Sequence, residues 1–132
     1  MFPVGLDGMI VDVRVNFAAP TLAYLHAGGK GLIDTGNDIS AVSSSVLQQL
    51  GVPIHGQTQT HAVGGLTLVR LFKVSLLILD ASQPHVPWFT QADLLVMELP
   101  ALLPVDVLIG MDVLLTCKLL LDGPVRRFTL EF

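Results

Sequence analysis

A chain of 132 residues has room for one domain with its own core and none for a second lobe, so residues 1–132 are read as a single domain. Apolar residues make up 52% of it and charged residues 14%, enough to fill a core and leave surplus apolar surface for a partner. The formal charge of -4, with lysines and arginines scattered apart from Arg126-Arg127, gives no electrostatic footprint for nucleic acid.

One cysteine, Cys117, excludes an internal disulfide framework and leans towards a reducing, cytoplasmic compartment, although a periplasmic protein without disulfides would look the same. Asp7 and Asp12 stand where a signal peptide would need a basic and then an apolar stretch. The most apolar segment, Leu94 to Leu121, is broken by Glu98, Pro100, Pro104, Asp106, Asp112 and Lys118, so no membrane span is expected.

From Met9 to Phe17 the odd positions are apolar and the even ones include Asp12, Arg14 and Asn16, the period of a half-buried strand. Ala19-Pro20 ends it. Leu22 to His26 and Gly31 to Ile33 read as strands about a Gly28-Gly29 turn, delivering the chain to Asp34-Thr35-Gly36. Val42, Val46, Leu47 and Leu50 then share one helical face, with N-caps among Ser43 to Ser45 and a stop at Gly51 and Pro53.

Gln57 to Val63 and Leu66 to Leu79 form two arms about Gly64-Gly65, the first almost wholly polar, which predicts a projecting hairpin. Pro84 and Pro87 mark an exposed loop, Leu94 to Leu99 and Val105 to Ile109 read as apolar strands, and Met111 to Cys117 as a short helix after Gly110. Lys118 to Leu121, an Asp122-Gly123-Pro124 turn and the alternating Phe128 to Phe132 close the chain. The expected fold is mostly β, small and closed like a β-barrel, with one or two short helices. Phe128, Leu130 and Phe132 would leave an exposed apolar edge unless they build an interface.

Asp34-Thr35-Gly36, preceded by Leu32-Ile33, carries the strongest chemical signal. Alone it is weak, since such a tripeptide arises by chance in roughly one chain of this size in twenty, and a strand-ending turn also uses Asp and Gly. Order in the chain makes it specific. Apolar pair, Asp-Thr-Gly, amphipathic helix, glycine-tipped hairpin and the run Val107-Leu108-Ile109 ending at Gly110 follow one another as in retropepsin-like aspartic peptidases, which this chain resembles over most of its length. Ala62-Val63-Gly64-Gly65-Leu66 through Phe72-Lys73-Val74 is similar to the flap of retroviral proteases. Leu108-Ile109-Gly110-Met111-Asp112-Val113-Leu114 is similar to the segment that threads behind the catalytic loop in that family.

The resemblance implies an acid-protease fold with a flap hairpin and Asp34, Thr35 and Gly36 as the catalytic tripeptide. Amide hydrolysis by this route needs a carboxylate to deprotonate water and a carboxylic acid to polarise the carbonyl; two carboxyl groups about 3 Å apart share one proton and serve both ends. The chain holds a single such motif, so the second Asp34 must come from another copy across a two-fold axis. The expected partners are thus a second copy and a peptide or protein substrate.

By the same resemblance, Thr35 hydrogen-bonds across the axis and Gly36 admits the substrate backbone. Asp38 matches a substrate-binding Asp, with a solvated helix-entry residue as the equal alternative, while Asn37 departs from the usual Ala and would narrow or re-shape a subsite. Val63, Gly64 and Gly65 would form the flap tip, although two glycines between strands are also an ordinary hairpin turn. Ile109 and Gly110 would support the catalytic loop.

Asp112 is read as a helix-start or interface residue and not as a dyad member. His26, His55, His61 and His85 lack ligand spacing, so neither metal nor cofactor is expected. Cys117 is read as a buried hydrophobe. Two functions remain: a homodimeric aspartic endopeptidase, or a non-catalytic peptide-binding or dimerisation module on the same fold, suggested by Asn37 and by the short chain.

Overall fold

A computed structural model describes residues 2–5, 8–18, 27–62, 64–79, 87–99 and 104–132. In chain order these form β1 (Phe2–Gly5), β2 (Gly8–Phe17), β3 (Ala27–Ile33), β4 (Ala41–Ser43), α1 (Ser44–Leu50), β5 (Gly56–Ala62), β6 (Gly65–Leu79) and β7 (Pro87–Leu99). The last four elements are β8 (Val107–Ile109), α2 (Met111–Leu114), β9 (Lys118–Asp122) and β10 (Arg127–Glu131), with the turn at 123–126 between the final two strands.

The alternation along β2 buries Val11, Val13 and Val15 and exposes Arg14. Both edges of this strand are used, by β3 and by β6, each antiparallel. From β6 the pairing passes antiparallel to β7, parallel to β4, antiparallel to β8 and parallel to β3. Among the described residues the strands β2, β6, β7, β4, β8 and β3 therefore close a ring.

Inside the ring lie Val13, Val42, Val74, Ile78, Val107 and Ile109, each at 0% exposure, and each such side chain contributes about 1.5–3 kcal/mol of transfer free energy. Val46 and Leu47 of α1 and Val113 and Leu114 of α2 join the same core. Beyond the ring, β1 continues the sheet from β2 to β10, and β10 carries β9 at its outer edge.

Several elements differ from expectation. Gly28 and Gly29 lie inside β3, opposite Arg14 and Val13, and not in a turn. Their lack of a side chain serves close packing, since a Cβ on Gly29 would stand 1.8 Å from Asp106 Oδ2. β7 begins at Pro87, so the apolar run from Leu94 is only its second half. Val42 belongs to β4 rather than to the helix, and α2 stops at Leu114.

The predicted caps are present: Ser43 Oγ accepts from Val46 N at 3.3 Å, and Gly51 ends α1 at φ 72°. Phe128 and Leu130 are each 1% exposed and belong to the chain's own core, because β10 sits between β1 and β9 with that face turned inward. Of the three residues assigned to an exposed edge, Phe132 alone is exposed, at 43%, and its ring stacks on Phe89 with centroids 4.3 Å apart. The strand expected over Leu22 to His26 and the loop around Pro84 fall outside the described residues.

Candidate active site

Asp34 follows directly on the last residue of β3. β3 and β8 run parallel, with Ile33 opposite Ile109, so the ladder ends where Asp34 N donates to Ile109 O at 2.9 Å. The reversal that follows is fixed by its own groups. Gly36 N donates to Asp34 Oδ1 at 3.0 Å, Asn37 Nδ2 to Asp34 Oδ2 at 2.6 Å, and Asn37 N to Asp34 O at 3.3 Å. This is the local Asx geometry that Asp and Gly favour. It leaves the Asp34 side chain half-buried, with Thr35 and Gly36 exposed beside it.

The far side of the turn is clamped to the start of α2. Met111 N donates to Asn37 O at 2.7 Å and Asp112 N to Asp38 O at 3.1 Å. Asp112 in turn accepts from Ser40 N at 3.0 Å and Ser40 Oγ at 2.7 Å, while Ser40 Oγ accepts from Gly110 N at 2.9 Å. Ser40 is 0% exposed, and its hydroxyl satisfies the buried Gly110 N–H while donating to the half-buried Asp112 carboxylate.

Gly110 is required by closeness. A Cβ there would meet Asn37 O at 2.8 Å and Ile39 C at 2.9 Å, both backbone atoms that cannot rotate away. Asp112, expected as a helix-start or interface residue, is thus the carboxylate that ties the Asp34 turn to α2. Ser40 was not expected at all, because its partners lie 70 and 72 residues away.

Compared with solved structures, the chain resembles the crystal structure of a retropepsin-like aspartic protease from Rickettsia conorii, with a TM-score of 0.56 and 15% identity over 92% of this chain and 82% of that one. The chain has a retropepsin-like fold. Its sequence matches no protein-family model and no curated protein. At this identity the likeness carries the backbone path, and the roles of individual side chains rest on the contacts described above.

Within this retropepsin-like fold the other expected site residues separate into two places. Asn37, Asp38, Ile109 and Gly110 gather at the Asp34 turn, with Asp38 exposed. Gly64 and Gly65 lie at the far end of the β5–β6 hairpin, with φ of 102° and 128°, a backbone that glycine adopts without strain. Val63 lies outside the described residues.

The root of that hairpin is tied to the body. Arg70 of β6 makes a two-pronged hydrogen-bonded ion pair with Glu98 of β7, and Ser44 Oγ at the start of α1 donates to the same carboxylate at 2.7 Å. The Arg70 hydrogen bonds hold the Glu98 carboxyl below its ordinary range, burial opposes them, and the Ser44 hydroxyl adds to the lowering. A charge pair formed across 28 positions of sequence leaves no period by which it could have been found.

Burial raises the Cys117 thiol, whose Sγ lies 3.4 Å from Leu114 O; it packs against the core. Among the described residues no group of three or more His, Cys, Asp or Glu is placed to hold a metal ion. No helix among them is long and apolar enough to cross a membrane.

Proposed function

We propose that the protein is a homodimeric aspartic endopeptidase whose two catalytic carboxylates are the Asp34 side chains of two copies. The observation that carries this reading is the single Asp34 turn, held rigid from behind by Ile109, Gly110 and the Ser40–Asp112 clamp on a retropepsin-like fold. One such turn is half a catalytic centre, and a two-fold axis through it would supply the rest.

In the assembled pair one Asp34 is ionised and its mate protonated, because two carboxylates in contact cannot both carry charge. The ionised group takes a proton from water as the water oxygen bonds to the peptide carbonyl carbon, and the protonated group donates to the carbonyl oxygen. Collapse of the tetrahedral intermediate breaks the C–N bond, the amine leaving with a proton from the dyad. Thr35, exposed at the turn, bonds to its counterpart across the axis, and Gly36 lets the substrate backbone approach without a Cβ in the way.

The β5–β6 hairpin serves as the flap, with Val63, Gly64 and Gly65 closing over an extended peptide and excluding water. Asp38 contacts the substrate main chain. Pairing of the main chain in such a cleft resembles strand addition. The outer edge of β9, which carries Leu120 and Leu121 at 63% and 54% exposure, contributes to the dimer contact, since an open apolar edge is otherwise a liability.

The test is incubation of the protein with a diverse peptide mixture from acid to neutral pH, read by mass spectrometry with and without a pepstatin-like inhibitor. Cleavage that is blocked by the inhibitor and absent in Asp34→Asn is expected. Binding without cleavage at any pH by a verified dimer would favour the non-catalytic module instead.

A further inference from the structure

We infer that Asn37 is a positioning residue for Asp34: its side-chain amide fixes the Oδ2 oxygen of the carboxyl group in its own subunit. The kinetic consequence rests on the peptidase reading above, whereas the contact itself rests on geometry.

Asp34 has two carboxyl oxygens, and each is met by one donor from its own turn. Oδ1 receives the Gly36 backbone N–H at 3.0 Å and Oδ2 receives Asn37 Nδ2 at 2.6 Å. Two donors on different oxygens define the plane of a carboxylate, where one would leave it free to swing about its Cβ–Cγ bond. A hydrogen bond to an ionised acceptor is roughly twice as strong as a neutral one.

The amide can act this way because its own backbone is pinned. Asn37 N is bonded to Asp34 O at 3.3 Å, and Asn37 O receives Met111 N at 2.7 Å, which ties the residue to α2. A short side chain with two rotatable bonds then reaches Oδ2 at little entropic cost. The nitrogen must face the carboxylate, since the amide oxygen would set acceptor against acceptor.

This assigns Asn37 a role other than the subsite narrowing expected from its size. An alanine at this position would leave Oδ2 without a donor from this side chain. Both carboxylates of a dyad would then be oriented only once substrate or the partner arrived, and misalignment of reacting groups is costly in rate. In the protein as it stands each subunit brings an already oriented carboxylate to the axis.

Two substitutions separate orientation from shape. Asn37→Asp keeps the side chain's size but replaces the donor with a second carboxylate, and Asn37→Ala removes donor and bulk together. If Asn37 positions Asp34, kcat falls by about 10- to 100-fold in Asn37→Ala and further in Asn37→Asp, with KM little changed in both. If it only shapes a subsite, Asn37→Asp keeps its kcat and Asn37→Ala changes KM, and either result overturns the inference.

A second measurement needs no turnover. In the uncleaved full chain the Asn37 side-chain 15N–1H2 resonance is expected to shift and to lose its protection from hydrogen exchange when Asp34 is replaced by Ala. A resonance unmoved by Asp34→Ala overturns the positioning role. A resonance that moves in a wild-type protein without peptidase activity leaves the contact standing and removes the peptidase reading.

Discussion

Ser40→Ala tests the clamp behind the Asp34 turn. Two hydrogen bonds end on this buried hydroxyl: Gly110 N donates to it, and it donates to the half-buried Asp112 carboxylate. Alanine leaves the buried Gly110 N–H without its acceptor, at about 1–3 kcal/mol, and removes a bond to a charged group worth about 1.5–3 kcal/mol net. Asp112 keeps the Ser40 and Val113 backbone donors at 3.0 and 2.9 Å, which places the total toward the lower end, at about 2.5–4 kcal/mol.

Urea unfolding at one fixed protein concentration should show that loss with an unchanged slope. Asp112→Ala and the double variant complete a cycle in which the two residues couple by about 1–2 kcal/mol. A loss below about 0.5 kcal/mol in Ser40→Ala, the size of an ordinary surface change, or strict additivity in the cycle, would refute the clamp.

Three further outcomes follow from the same contacts. Gly110→Ala forces its new methyl against Asn37 O and Ile39 C and should cost about 1–3 kcal/mol by overpacking, with peptide hydrolysis falling as well; wild-type stability would mean that the turn is looser than described. Leu120→Asp should shift sedimentation toward the monomer while changing the thermal unfolding of a dilute lone chain little, because the side chain is 63% exposed; an unchanged dimer would place the interface elsewhere. Glu98→Gln tests the tie at the hairpin root. Arg70 depresses the Glu98 carboxyl below its ordinary 4.5, so the pair's contribution is whole above that pH and fades as pH falls through the lowered value. The stability gap between wild type and variant should be level at neutral pH and close in acid, and a gap that widened in acid would reverse the assignment.

What was legible in the sequence was what is local. The alternation of β2, the Ser43 and Gly51 caps of α1, the Asp34-Thr35-Gly36 turn and the glycine tip of the hairpin each follow from neighbours within a few positions. Pairing was legible only across the two hairpins, β5–β6 and β9–β10, and not between strands distant in sequence. β4 and β8 are three residues each and lie between strands distant in sequence, and Ser40 meets Asp112 across 72 positions.

Gly28-Gly29 is ambiguous in sequence because glycine marks turns and close approaches alike, and the side chains of Arg14 against Gly28 and Asp106 against Gly29 decide between them. The alternation of β10 was read correctly as a strand, but its apolar face belongs to the chain's own core. At the site, the meeting of the Asp34 turn with Ile109 and Gly110 was legible through the order of motifs. The turn of the Asn37 amide onto the carboxylate was not, since spacing says which residues are near but not which atom each one offers.

Subunit mixing tests the central claim most directly. Wild type and Asp34→Asn are combined in equal amounts, allowed to exchange, and assayed for peptide hydrolysis at constant total concentration. If each centre needs one Asp34 from each of two copies, activity falls to about a quarter of that of wild type, the share of dimers in which both carboxylates survive. A fall to about one half would mean that each copy works alone, and would contradict the account.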